Sequence, residues 1–167
     1  MRRYWSLIET PFQMMAAWID EDGRLLRFRL RAENAAHVDT EAENNSRKLA
    51  EVQRQVAEYG EGRRRGFDLE LAPEGPEFER AVWKALCDIP FGETTSYGAI
   101  ARAVGNPGAA RAVGAANNAN PIALVIPCHR VIGADGQLVG YGGGLALKRK
   151  LLEHEARVCG TRYDLFG

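Results

Sequence analysis

The sequence predicts two modules in series. A small α/β module, an antiparallel sheet with one helix, occupies residues 1–72, and a mainly α module with a helix-turn-helix occupies residues 78–167. Three observations predict this. A strand, tight turn, strand pattern surrounds Asp22-Gly23, a strong hairpin signal. Pro73 and Pro76 bracket a short linker over residues 73–77. Beyond it, three stretches of helical period follow, the last two separated by Gly105-Asn106-Pro107-Gly108, a spacing that fits a helix-turn-helix.

In chain order, Tyr4, Ser6 and Ile8 alternate as a first strand, and Ala16 to Ile19 and Leu25 to Leu30 flank the Asp-Gly turn as the next two. Ala32 to Asn45 is polar and aperiodic and reads as a loop. Ser46 is placed to cap a helix whose Leu49, Val52, Val56 and Tyr59 share one face and which Gly60 ends. Arg63-Arg64-Arg65 follows Glu58 and Glu61 and reads as a solvated loop. Phe67, Leu69 and Leu71 alternate as a last strand. In the second module Phe78, Val82, Trp83 and Leu86 recur at helical spacing, with Cys87 beside that face and so assigned to the core. Helices are expected over residues 96–104 and 109–118, and a final one carries Leu145, Leu147, Leu151, Leu152 and Val158.

Composition bounds the function. The chain of 167 residues is 46% hydrophobic, enough for a packed core. No apolar run approaches the ~18 residues of a membrane span, and no signal-peptide core follows Met1-Arg2-Arg3-Tyr4-Trp5, so no membrane association and a cytoplasmic location are expected. Three cysteines without paired spacing exclude a disulfide framework and suit a reducing compartment. The N-terminal half has no cysteine and only His37, so no metal is expected, and no cofactor motif occurs. Residues 1–77 carry 12 basic and 15 acidic residues, and residues 78–155 carry 8 and 6. Any nucleic acid would be held through few phosphate contacts and helix N-termini, not by a broad basic face.

The chemistry-bearing stretch is Ile126-Pro127-Cys128-His129-Arg130-Val131-Ile132-Gly133, with a thiol, an imidazole and a guanidinium in succession. An adjacent imidazole or cation favours the thiolate over a free thiol of pKa about 8.5. Cys128 is therefore the candidate nucleophile, set against the plainer reading of a buried structural cysteine. In extended chain, adjacent side chains diverge, so a water between Cys128 and His129 is more plausible than a direct bond. His129 needs an acceptor on its other nitrogen, and Glu153 and Glu155 both stand in the final helix. Arg130 is read as the partner of a core carboxylate. The 109–118 helix is nearly bare of groups that could read base edges, with Arg111 alone among alanines, and such a helix suits close approach to a narrow groove.

From Phe78 to Glu155 the motifs follow one another in an order that resembles the O6-alkylguanine-DNA alkyltransferase family: Ile89-Pro90-Phe91-Gly92-Glu93-Thr94-Thr95-Ser96-Tyr97, Gly105-Asn106-Pro107, Ala109-Ala110-Arg111-Ala112-Val113-Gly114, Asn120-Pro121, Pro127-Cys128-His129-Arg130-Val131 and Tyr141-Gly142-Gly143-Gly144-Leu145. The match spans about half the chain. The resemblance implies a ribonuclease-H-like first module and a winged helix-turn-helix second one. It implies DNA repair by irreversible, once-only transfer of an alkyl group from guanine O6, with thymine O4 a poorer donor, to Cys128, after minor-groove binding and extrusion of the damaged base.

The roles implied by the resemblance fall on particular residues. His129 acts as base through water, Glu155 rather than Glu153 orients it, Tyr97 donates a proton to the departing base, and Asn120 ties the helix to the active-site strand. Arg111 fills the gap left by the extruded nucleotide, with Ala109, Ala110, Ser96, Tyr97 and Gly114 along the DNA. Val131, Tyr141, Gly142 and Gly143 line the base pocket, where Gly142 replaces a serine of some relatives. Gly143 and Gly144 are expected to loosen that loop and admit larger alkyl groups. The implied partner is double-stranded DNA carrying O6-alkylguanine, bound by a monomer, with cooperative loading left open. A non-transferring damage-binding protein and a cysteine hydrolase are the alternatives. Cys128 disfavours the first, and the second would require an oxyanion hole and a directly paired histidine.

Overall fold

The computed structural model describes residues 1–136, 138–141 and 143–161. Two compact units divide them: Met1–Glu74 with Pro121–Val125, and the remainder from Gly75 onward. A contiguous division at residues 73–77 leaves Pro121–Val125 in the second module, whereas these five residues pack in the first. Phe28 N donates to Pro121 O at 2.9 Å and Ala123 N to Phe28 O at 3.1 Å. Ile122 and Leu124 are thereby fully buried.

The first unit is a four-stranded sheet in the order β3-β2-β1-β4. Strands β1 (Arg3–Ile8), β2 (Met15–Asp20) and β3 (Leu25–Arg29) are antiparallel neighbours. Gly23 takes φ +83° in the β2–β3 turn, a backbone that glycine adopts without steric cost. The two-residue β4 (Glu43–Asn44) pairs parallel to β1, so the sheet is mixed and not purely antiparallel, and the expected loop over residues 32–45 contains this strand and a 3-10 turn at Ala35–His37. Helix α1 (Ala50–Gly60) buries Val52, Val56 and Tyr59. Leu49, not Ser46, stands at its N-cap, because residues 46–49 form a turn before the helix begins. Residues 67–71 form no strand beyond an isolated bridge from Leu71 to Leu25. The Gln55 side chain replaces the missing ladder by donating to Asp68 O and accepting from Asp68 N.

The second unit is mainly helical: α2 (Glu77–Leu86), α3 (Tyr97–Ala103), α4 (Ala110–Asn118) and α5 (Leu145–Val158). Val82, Trp83 and Leu86 are the buried face of α2, and the Trp83 indole donates to Ala116 O of α4 at 2.8 Å. A buried Trp N–H needs such a partner. Cys87 follows the last helical residue of α2 and is exposed, so its assignment to the core fails: the helix ends before the turn would bring it inward. Strands β5 (Thr95–Ser96) and β6 (Val131–Ile132) pair in parallel, Thr95 opposite Val131 and Ser96 opposite Ile132. This short ladder lays the start of α3 beside the Cys128 turn. Among the described residues no helix is long and apolar enough to cross a membrane.

Candidate active site

Cys128, His129 and Arg130 form one 3-10 turn, not the extended chain expected for them. All three are buried, Cys128 at 4% exposure. The turn is held from several sides. Asn120 Nδ2 donates to Ile126 O at 2.9 Å, bridging the ends of the excursion to Pro121–Val125, and Asn117 Nδ2 donates to Cys128 O at 3.4 Å. Asn117, the penultimate residue of α4, was not singled out in the sequence. Its signal is an amide on the helix face that also presents Val113 and Ala116.

Two of the three, His129 and Arg130, meet one carboxylate. Glu155, fully buried on α5, receives Arg130 Nε on Oε1 at 2.8 Å, Arg130 Nη2 on Oε2 at 3.0 Å, His129 Nε2 on Oε2 at 2.7 Å and the Gly92 amide on Oε1 at 3.3 Å. Arg130 also donates to Ile89 O at 2.8 Å. Although burial opposes it, the His129 imidazole N–H and the charged Arg130 guanidinium hold Glu155 far below the usual carboxylate range. An ionised carboxylate only accepts, so Nε2 of His129 carries the proton. Nδ1 is then the basic nitrogen. It is buried and meets no protein hydrogen-bond partner. Burial, reinforced by the cations Arg130 and Lys148, pushes the imidazole below its ordinary value against the pull of Glu155, so the ring is neutral at rest.

The thiolate expected for Cys128 is not its resting form. Burial is the largest influence and pushes the thiol up, while the Asn120 side chain, the Lys148 charge and the Tyr141 side chain pull the other way. The sulfur therefore rests protonated and has to lose its proton as it reacts. Lys148 is the functional group that sequence reasoning missed. It is fully buried on α5, donates to Val131 O at 2.6 Å and Val139 O at 2.9 Å, and burial lowers it to about 8. The Lys148 charge and the Cys128 sulfur lie close enough to act on each other, and a nearby cation favours the thiolate form of a cysteine.

Tyr97 opens α3, half-buried, and the nearby sulfur adds to burial in raising its phenol. Ser96 is the N-cap of α3, its hydroxyl accepting from Ala99 N at 3.1 Å. On α4 the exposed residues are Arg111, Ala112, Ala115 and Asn118, a slim face with one cation, while Ala109, Ala110 and Gly114 are half-buried. A methyl group at Gly114 would stand 3.9 Å from the Tyr97 ring, so the two lie side by side. Val131 and Gly143 are buried and Tyr141 half-buried, whereas Gly142 lies outside the described residues. Gly144 caps α5 at φ +92°, a backbone that glycine adopts without steric cost. No group of three or more His, Cys, Asp or Glu that could hold a metal occurs among the described residues.

Residues 77–157 match the family model described as 6-O-methylguanine DNA methyltransferase, DNA binding domain. The methylated-DNA–protein-cysteine methyltransferase of Methanosarcina mazei is 46% identical over 152 residues, 91% of this chain and 96% of that protein. This chain belongs to the methylated-DNA–protein-cysteine methyltransferase family. The family member from Mycolicibacterium paratuberculosis is 55% identical over 122 residues, 73% of this chain and 74% of its own. The crystal structure of Mycobacterium tuberculosis OGT in complex with DNA superposes with a TM-score of 0.86 at 42% identity, covering 93% of this chain and 94% of that one.

Proposed function

We propose that this protein repairs DNA by moving a methyl or other alkyl group from guanine O6, and more slowly from thymine O4, onto Cys128. The observation that carries the reading is the proton path around the sulfur. Cys128 shares a turn with a histidine whose tautomer is fixed by Glu155 and whose Nδ1 is left as a buried base. Attack forms the S–C bond as the C–O6 bond breaks. The thiol proton passes to Nδ1 of His129, through a water, and Lys148 steadies the sulfur charge as it develops. The guanine leaves as an anion that Tyr97 helps protonate. The thioether is not cleaved by any group present, so each molecule acts once, and no metal or cofactor is required.

The slim exposed face of α4 supports entry into the minor groove, with Arg111 replacing the extruded nucleotide in the stack. Ala109, Ala110, Ser96 and Gly114 lie along the DNA backbone, and Val131, Tyr141 and Gly143 surround the base. Extrusion costs a few kcal/mol, less for a poorly paired lesion, which contributes selectivity. The protein acts as a monomer, and its three free cysteines suit the reducing cytoplasm.

Incubation with duplex DNA carrying O6-methylguanine is expected to add one methyl to the Cys128 peptide in mass spectrometry, and Cys128→Ala is expected to abolish the gain. DNA binding without mass change would instead establish a damage-binding protein. Arg111→Ala is expected to slow transfer from duplex DNA about tenfold or more while leaving reaction with the free O6-methylguanine base within about twofold.

A further inference from the structure

Gly92 sits in the turn after α2 at φ +83°. Two independent observations forbid a side chain there. The positive φ disfavours any L-residue with a Cβ, and a Cβ would lie 2.5 Å from Cys159 Sγ, far inside contact distance. Cys159 itself is fixed, since its N–H donates to Glu155 O at the end of α5. What this cramped geometry accomplishes is to aim one amide. The Gly92 N–H points at Oε1 of Glu155, the oxygen that also receives Arg130 Nε, while Oε2 receives His129 and the other arm of Arg130. A carboxylate offers about four lone-pair sites, and the N–H groups of Arg130, His129 and Gly92 all converge on this one.

We propose that Gly92 is a positioning residue for the transfer reaction: its backbone N–H takes part of the Glu155 charge and so limits how strongly that carboxylate draws on His129. The inference rests on the alkyl-transfer reading, in which His129 accepts the thiol proton. A carboxylate that bonds too hard to Nε2–H stabilises the imidazolium and fills the base before the reaction starts. Arg130 and the Gly92 amide share the same anion and divert that pull. Among the described residues, the charged groups that act on the ring are Glu155, Arg130 and Lys148. Gly92 reaches the Glu155 carboxylate through its backbone N–H, from the segment that runs on through β5 into Tyr97.

The test is the single-turnover rate of tritiated methyl transfer from O6-methylguanine duplex DNA, measured across pH for the full chain and for Gly92→Ala, Cys159→Ala and the double variant. Cys159→Ala is expected to stay within about twofold of the parent. Gly92→Ala is expected to be about tenfold slower, the scale of a lost hydrogen bond to a charged group, with the acid limb of its profile moved to higher pH. The double variant, freed of the sulfur clash but not of the strained φ, is expected to recover part of the rate and part of the limb shift together. A Gly92→Ala protein as fast as the parent, or slower with its acid limb unmoved, overturns the proposal.

Should Gly92→Ala fail to fold, the 15N-labelled parent decides. Its Gly92 amide resonance is expected to shift through the same midpoint as the His129 ring, and an amide indifferent to that titration overturns the proposal. A parent protein that transfers no methyl sinks the alkyl-transfer reading instead, and leaves the amide titration readable.

Discussion

Lys148 has its ammonium between two backbone carbonyls, one on each side of the site, so removing it disturbs both the site's charge and its shape. Lys148→Met keeps the stem and loses the donor. It is expected to slow alkyl transfer about tenfold, read as the single-turnover rate on methylated duplex. Glu155 and His129 set how stability depends on pH. Below about 6.5 an unfolded imidazole takes up a proton that the buried ring resists, so stability falls as pH drops through that range. The depressed carboxyl of Glu155 contributes in full at neutral pH. Its share is lost from about pH 4 downward, as the pH falls towards its folded value. Urea midpoints are expected to decline from about pH 7 to about pH 5 and again below about pH 4, with the second decline reduced in Glu155→Gln.

These residues were unequally legible. Cys128, His129 and Arg130 announce themselves by adjacency. Glu155 could have been separated from Glu153 without any resemblance, because positions 147, 148, 151, 152 and 155 lie on one helical face, and that face proves buried. The same spacing carried Lys148 inward. It was passed over because a lone lysine in Lys148-Arg149-Lys150 reads as solvated. The resting state of the sulfur could not be read at all, since adjacency reports which charges are near and not how dry the place is.

At the scale of elements, helical period gave α2, α3, α4 and α5 to within a residue or two, because each buries one stripe of apolar side chains. Period-two patterns served less well. Phe67, Leu69 and Leu71 alternate as a strand should, yet the Gln55 amide satisfies the backbone at Asp68, so no ladder forms. The parallel pairings β1–β4 and β5–β6 are two residues long, too short for any pattern to show. One side chain joins α2 to α4: Trp83, through Ala116 O. Trp83→Phe retains the ring but leaves that buried carbonyl one donor short, and is expected to lower unfolding free energy by about 1–2 kcal/mol in urea titrations.

For the whole molecule, the chain order misleads about what supports the site. Pro121–Val125 belongs to the first unit, yet it runs directly into Ile126 and the Cys128 turn. Leu124 is held there at φ +70°, a conformation a leucine keeps only when its surroundings insist. A fragment beginning at Gly75 retains every residue assigned to the chemistry but strips Ile122 and Leu124 of their burial. At about 1.5–3 kcal/mol for each such side chain, it is expected to unfold at markedly lower denaturant than the full chain, followed by circular dichroism.

The sulfur of a cysteine only 4% exposed, on a turn tied down by two asparagines, cannot lean out to meet anything. All the travelling falls to the visitor. On the proposed reading, how quickly damage is mended depends on how readily the double helix itself gives way at the injured spot.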